Sequence, residues 1–126
     1  MGSSLSESTE DYLEKILMLG ERNGNVRSID LARELNYSKP SISIAMRKLA
    51  DKGLVVMGDD KEIRLTESGR REAVRTYERH KTLISFLTIL GVSETTAGED
   101  ACRIEHDISE ETFARIKDFI NNTPCR

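Results

Sequence analysis

The feature that most constrains the fold is an ordered run of helix, turn, helix and hairpin in the first half of the chain. Ser28 is a predicted N-cap for one short helix, and Ser38 is a predicted N-cap for the next. Gly53 follows the second helix as a stop signal. Two short β-prone runs come next, at residues 54–57 and 62–65, with turn-forming residues between them. This order predicts a helix-turn-helix followed by a β-hairpin wing.

Helical periodicity dominates the rest of the chain. Apolar residues at helical spacing predict a first helix that begins near Ser6 or Ser8. Thr66 is the predicted cap of a long helix that ends before Gly91. Two further helices follow, the second of them from a predicted cap at Ser109.

These elements predict a mainly α fold with a small β-hairpin wing. We place a winged helix-turn-helix DNA-binding domain at residues 1–66 and a helical metal-binding and dimerisation domain at residues 67–126, for the reasons that follow. The chain has 126 residues, which is enough for one domain or for two small ones that share a core. No apolar run is long enough to span a bilayer and no signal peptide opens the sequence, so we expect a cytoplasmic protein with no membrane partner.

Charge is distributed unevenly along the sequence. The net charge is −3, which by itself argues against binding to nucleic acid. Residues 38–53 and residues 61–92, however, each carry a net charge of +3, whereas residues 1–37 carry −3 and residues 93–126 carry −4. The basic middle favours contact with phosphate, and the acidic ends favour cation binding.

A helix-turn-helix with a wing is typical of proteins that read DNA, because a helix fits the major groove. Short hydroxyl side chains near the start of the second helix of this motif let its backbone approach DNA, and basic side chains further along suit phosphate. A solvated helix face is the simpler interpretation of any single basic residue, but the ordered motif favours DNA binding. The candidate DNA-binding residues are Ser38, Lys39, Pro40, Ser41, Ser43, Arg47, Lys48, Lys61 and Arg64.

One such motif reads only a few base pairs, so useful affinity requires a dimer on a palindromic site. The C-terminal half contains more apolar residues than a winged-helix domain alone needs, and a dimer interface formed by the C-terminal helices would use them. We therefore expect a homodimer that binds double-stranded palindromic operator DNA. The surplus apolar residues are Phe86, Leu87, Ile89, Leu90, Phe113, Ile116, Phe119 and Ile120.

A second constellation has the chemistry of a metal site. Cys102, Glu105 and His106 have the spacing i, i+3 and i+4, so they share one face of a helix. Thiolate, carboxylate and imidazole groups all bind transition metals. Each residue alone has an ordinary structural explanation, and spacing does not bring all the donors together. The six candidate metal ligands are Asp11, Glu14, His80, Cys102, Glu105 and His106.

The sequence resembles the diphtheria-toxin-repressor family of metal-dependent transcriptional regulators. The resemblance covers about residues 8–121 and is most specific at Cys102-Arg103-Ile104-Glu105-His106, with Glu10-Asp11-Tyr12-Leu13-Glu14 and Arg79-His80-Lys81 in support. In length the chain is closest to the manganese-regulator branch. The resemblance implies a homodimeric repressor of metal-homeostasis genes that is not an enzyme, with the same six metal ligands.

The identity of the metal is left open between Mn(II) and Fe(II). Asp11 and Glu14 match the manganese branch of the family, whereas Cys102 stands where the iron branch has a cysteine. A thiolate ligand shifts preference from Mn(II) toward Fe(II), and Co(II), Ni(II) or Zn(II) are also expected to bind in vitro.

Two other functions compete with this interpretation. A winged-helix regulator that senses an organic ligand would need an aromatic-lined pocket, but the chain has no Trp, three Tyr and three Phe. A metal-dependent hydrolase would need an open coordination position and a nearby base, for which no motif is found. We therefore expect no organic substrate.

Overall fold

The structure, a computed structural model, describes residues 6–122, and these fall into two compact units, Ser6–Val74 and residues 75–122. The first unit contains α1 (Glu7–Asn23), β1 (Val26–Arg27), α2 (Ser28–Leu35), α3 (Lys39–Asp51), β2 (Val55–Met57) and β3 (Glu62–Leu65). The second contains most of α4 (Glu67–Ile89), then α5 (Glu94–Asp107) and α6 (Glu110–Asn121). The prediction of a mainly α fold with a small wing is confirmed.

The first unit is a winged helix built around one apolar core. α2 packs against α1 and α3, and α1 packs against β3. The core is formed by side chains at helical spacing, including Leu13 of α1, Leu31 of α2, and Ile42 and Met46 of α3. Ile63 of β3 is also buried, so the wing is attached to the same core as the helices.

The sheet has three strands, one more than the predicted hairpin. β2 and β3 form that hairpin, and β1 pairs with the other side of β3 in the antiparallel order β1-β3-β2. The turn of the wing is a short 3₁₀ segment, Asp59–Lys61, in which Asp60 and Lys61 adopt left-handed φ values of 58° and 59°. β1 was missed because two residues are too few to show an alternating pattern.

Most of the helix caps are confirmed. The side chains of Ser6, Ser38 and Ser109 each accept a hydrogen bond from the backbone N–H three residues later. The prediction of Ser28 as an N-cap is wrong, because Ser28 is the first residue of α2. The Asp30 carboxylate instead accepts a hydrogen bond from the backbone N–H of Arg27, at 2.9 Å.

The start of α4 is fixed by a close approach of two backbones. Thr66 caps the helix by accepting from the N–H of Gly69 at 3.0 Å, and its hydroxyl donates to the carbonyl of Gly53 at 2.6 Å. A Cβ atom at Gly69 would lie 1.9 Å from the carbonyl oxygen of Leu54. Only glycine fits there, and the hairpin and α4 therefore pack tightly. Gly91, with φ 103°, follows the end of α4 as predicted.

The second unit buries small and apolar side chains between its helices. Leu83 of α4, Ala97 and Ala101 of α5, and Phe113 of α6 are all at most 8% exposed. The aromatic side chains of Phe86 and Phe119 meet edge to face, with ring centroids 5.9 Å apart.

Candidate metal centre and DNA-binding surface

Three metal-binding side chains converge in the helical unit. His80 comes from α4, and Cys102 and Glu105 come from one turn of α5. One donor atom from each lies within 4.8 Å of the other two. The Nδ1 atom of His80 is 2.7 Å from Oε1 of Glu105 and 3.9 Å from Sγ of Cys102.

The exposure of these side chains differs in a way that suits ion binding. The side chain of Glu105 is 0% exposed and that of His80 is 15% exposed, whereas Cys102 lies at the surface. α5 buries Ala101 and Glu105 on its inner face, which places Cys102 at the edge of that face. The cluster is therefore buried at the carboxylate and open at the thiol.

Glu105 presents its two oxygens to two imidazoles. Oε1 is hydrogen-bonded to His80, and Oε2 lies 3.6 Å from Nε2 of His106, whose side chain is 2% exposed. A buried carboxylate is costly unless a cation or strong donors accompany it. Imidazole, thiolate and carboxylate together form a donor set that fits a divalent transition metal. The residues present therefore suit such an ion.

The other two predicted ligands, Asp11 and Glu14, lie on α1 in the winged-helix unit. They are one helical turn apart, so their side chains share a face. Glu14 is only 3% exposed, which is unusual for a glutamate, and Asp11 is half-buried.

The predicted DNA-reading residues of α3 all lie at the surface. Ser38, Lys39, Pro40, Ser41 and Ser43 are exposed around the N-terminus of the helix, where backbone N–H groups favour phosphate. The Ser38 hydroxyl is used in the cap, since it accepts from the N–H of Ser41 at 3.3 Å and donates to the Ser41 hydroxyl at 2.9 Å.

Basic side chains continue this surface along α3. Arg47 and Lys48 are exposed, and neither forms an ion pair with any of residues 6–122. A groove of about 430 Å³ lies beside them and is lined by Lys48 of α3, by Lys52 just after that helix and by Tyr12 of α1. Burial, reinforced by the neighbouring Tyr37, raises the pKa of the Tyr12 phenol above its usual value. Like any tyrosine hydroxyl at neutral pH, it is protonated and able to donate a hydrogen bond.

The wing presents both predicted cations to solvent. Lys61 is exposed at the turn, and Arg64 is exposed on β3. Arg64 lies 3.4 Å from the carboxylate of Glu62, an exposed pair of little energetic weight. Both side chains are therefore available for phosphate.

Two residues to which we assign roles below, Ile44 and Arg79, were not among the functional candidates from the sequence. Ile44 is 53% exposed on the outer face of α3. Its position could have been found, because two residues after the buried Ile42 the helix has turned by about 200°. Arg79 is 3% exposed in the helical unit. No sequence signal reveals this, because arginines are usually exposed.

Comparison with known proteins assigns both units. Residues 4–63 match the family described as iron dependent repressor, N-terminal DNA binding domain. Residues 66–124 match the family described as iron dependent repressor, metal binding and dimerisation domain. The chain belongs to the iron-dependent repressor family. It is therefore a metal-dependent transcriptional regulator, and the predicted resemblance is confirmed.

Individual relatives agree with this assignment. An uncharacterized HTH-type transcriptional regulator of Methanocaldococcus jannaschii is 39% identical over 118 residues, which cover 92% of this chain and 94% of the relative. The transcriptional regulator MntR of Escherichia coli is 36% identical over 113 residues, which cover 90% of this chain and 73% of the relative.

A solved structure shares the fold. A manganese-dependent transcriptional repressor in complex with manganese superposes with a TM-score of 0.81 and 33% identity. The match covers 91% of this chain and 53% of that protein, so the chain spans about half of its length.

Within residues 6–122, no helix is long and apolar enough to cross a membrane.

Proposed function

We propose that this iron-dependent-repressor homologue senses Mn(II) or Fe(II) and represses metal-homeostasis genes. The observation that carries the proposal is the cluster of His80, Cys102 and Glu105, since donor atoms of three metal-binding types lie within 4.8 Å in a chain that also contains a winged helix. A relative named MntR and a repressor solved with manganese support the choice of metal class.

We infer that three further residues complete the metal ligands. His106 is supported by its distance of 3.6 Å from Glu105, and Asp11 and Glu14 are supported by residue type, helical spacing and family resemblance. The full ligand set is Asp11, Glu14, His80, Cys102, Glu105 and His106. A bound divalent ion would supply the positive charge that balances these donors. Metal binding would shift the population toward a form that binds DNA.

The DNA partner is proposed to be a palindromic operator bound by a homodimer. α3 would enter the major groove with its exposed serines near base edges, while Arg47, Lys48, Lys61 and Arg64 contact phosphate.

Exposed apolar residues of the helical unit support the dimer. Leu90 is 61% exposed and Phe119 is 48% exposed, which is costly for side chains that gain by leaving water. Of the predicted dimer residues, Phe113 is already buried within the chain, so it contributes to the fold of the unit instead.

Fluorescence anisotropy with labelled candidate operator DNA tests the proposed function. The protein is titrated first in chelator and then with Mn(II), Fe(II) or Co(II). We expect tight binding to a specific duplex only with metal. The variant Glu105→Gln should lose this response, whereas Glu99→Gln, an exposed carboxylate on the same helix, should keep it. Equal affinity in chelator and in metal would contradict the proposal.

A further inference from the structure

Arg79 is buried beside the metal cluster, but no ligand role accounts for it. It directly precedes His80 on α4 and is 3% exposed. Removing a guanidinium from water is costly unless strong acceptors surround it. The acceptors that surround Arg79 indicate which part of the structure this buried side chain stabilises.

These acceptors lie where α5 ends and α6 begins. Nη1 donates to the backbone carbonyl of Glu105 at 3.1 Å and to that of Ile108 at 2.9 Å. Nη2 donates to the carboxylate of Glu110, and the guanidinium carbon lies 5.1 Å from the ring centroid of Phe113. One side chain of α4 therefore holds the last turn of α5 and the first turn of α6.

The carbonyls at the end of α5 need such a partner. The last four carbonyls of a helix have no partner within it, and a cation at this end is favoured by the helix dipole. Glu105 is one of these residues, and α5 leaves helical geometry at Ile108 with ψ 140°. Arg79 thus fixes the main chain of the same residue whose carboxylate bonds to His80.

We propose that Arg79 is a positioning residue for the metal ligands His80 and Glu105. Two consecutive residues of α4 contact Glu105. Arg79 binds the backbone oxygen of Glu105, and His80 binds the side-chain carboxylate of Glu105. This double contact sets the place of the carboxylate oxygens before an ion arrives. The proposal rests on the proposed metal site and adds a residue that is not a ligand.

Arg75 provides a matched control. It lies one turn earlier on α4 and binds the same Glu110 carboxylate at 2.7 Å. A purely structural role for the Glu110 contacts would make Arg75→Met and Arg79→Met alike. A positioning role predicts that only changes at Arg79 alter the metal site, because Arg79 also contacts the carbonyl of Glu105.

Co(II) binding tests the proposal in Arg79→Met, Arg79→Lys and Arg75→Met. Affinity is measured by competition with a chelator, ligand geometry by the visible and near-ultraviolet spectrum, and stability by thermal unfolding in chelator. We expect both Arg79 variants to bind Co(II) about 10–100-fold more weakly with an altered spectrum, as is usual when the support of a ligand is lost. Arg75→Met should keep the wild-type spectrum and affinity.

Each contrary outcome has a defined meaning. Folded Arg79 variants with wild-type affinity and spectrum would overturn the proposal, and so would failure of both variants to fold, since the arginine would then serve the fold itself. The variant His80→Ala separates this failure from failure of the metal site. If His80→Ala binds Co(II) as tightly as wild type, the proposed site is wrong, whatever Arg79 does.

Discussion

At the scale of single residues, Cys102 determines how soft the proposed metal site is. Its sulfur lies 3.9 Å from Nδ1 of His80 in a cluster whose third member is a carboxylate. A thiolate favours Fe(II) or Co(II) over Mn(II) relative to oxygen donors. We expect Fe(II) or Co(II) to activate DNA binding of the wild type at least as well as Mn(II).

The substitution Cys102→Glu should reverse this order in favour of Mn(II), as measured by anisotropy across a metal series. Bound Co(II) should give the wild type a thiolate-to-metal band in the near ultraviolet, and the variant should lose that band. A wild type that responds to metal but lacks the band would show that Cys102 is not a ligand.

Ile44 is a second residue whose role can be tested singly. It projects from the outer face of α3 among polar neighbours, and an apolar side chain there suits the C5-methyl group of thymine. We predict that replacing one operator thymine by deoxyuracil weakens wild-type binding by about fourfold, from about 0.8 kcal/mol for a buried methyl group. Ile44→Ala should bind both operators equally, while Ser43→Ala should still distinguish them. Discrimination that survives in Ile44→Ala would refute this contact.

At the scale of elements, α3 should contribute salt-dependent affinity. Arg47 and Lys48 are exposed without ion pairs among residues 6–122, so each is able to displace counterions from DNA. Arg47→Ala should weaken binding to all sequences and make the slope of log K against log salt shallower by about 0.9. Titrations at several salt concentrations measure this slope. A changed sequence preference with an unchanged slope would place Arg47 at a base.

The junction of the hairpin with α4 makes a separate prediction about stability. Gly69→Ala forces a Cβ atom into the carbonyl of Leu54. We therefore expect it to lower the free energy of unfolding by about 1–3 kcal/mol or more. Gly98→Ala on α5 meets nothing within 4 Å and should instead stabilise by up to about 1 kcal/mol. Denaturant unfolding in chelator compares the two. A neutral Gly69→Ala would mean that the two backbones separate easily.

The elements were predictable from sequence to the extent that their signals are local. The caps at Ser6, Ser38, Ser109 and Thr66 and the stop at Gly91 act within a few residues and were found. The N-cap at Ser93 was not predicted, and the prediction of Ser28 as a cap was wrong. β1 was not found, because its strand character comes from pairing with β3, far along the chain. The convergence of His80 with Cys102 and Glu105 is likewise tertiary. Spacing on α5 predicted three donors on one face, Cys102, Glu105 and His106, but only the packing of α4 brings the imidazole of His80 to Cys102 and Glu105.

At the scale of the whole molecule, the proposed DNA contacts and the metal-binding cluster of the helical unit belong to separate units of one chain. The basic surface of α3 lies in the winged-helix unit, and the cluster of His80, Cys102 and Glu105 lies in the helical unit together with the exposed Leu90 and Phe119. A single winged helix reads too few base pairs of an operator for useful specificity. The apolar surface of the helical unit is therefore as necessary to the proposed function as the metal ligands are.

The oligomeric state provides the last prediction. We expect the wild type to sediment as a dimer at micromolar concentration, because Leu90 and Phe119 lose unfavourable contact with water when a second copy covers them. Phe119→Glu would place a charge in that interface and should yield a monomer that binds the full operator far more weakly, as two separate half-sites. Val74→Glu, at an exposed valine in the winged-helix unit, is the matched control and should remain dimeric. A wild type that stays monomeric even with metal would remove the basis for a palindromic operator.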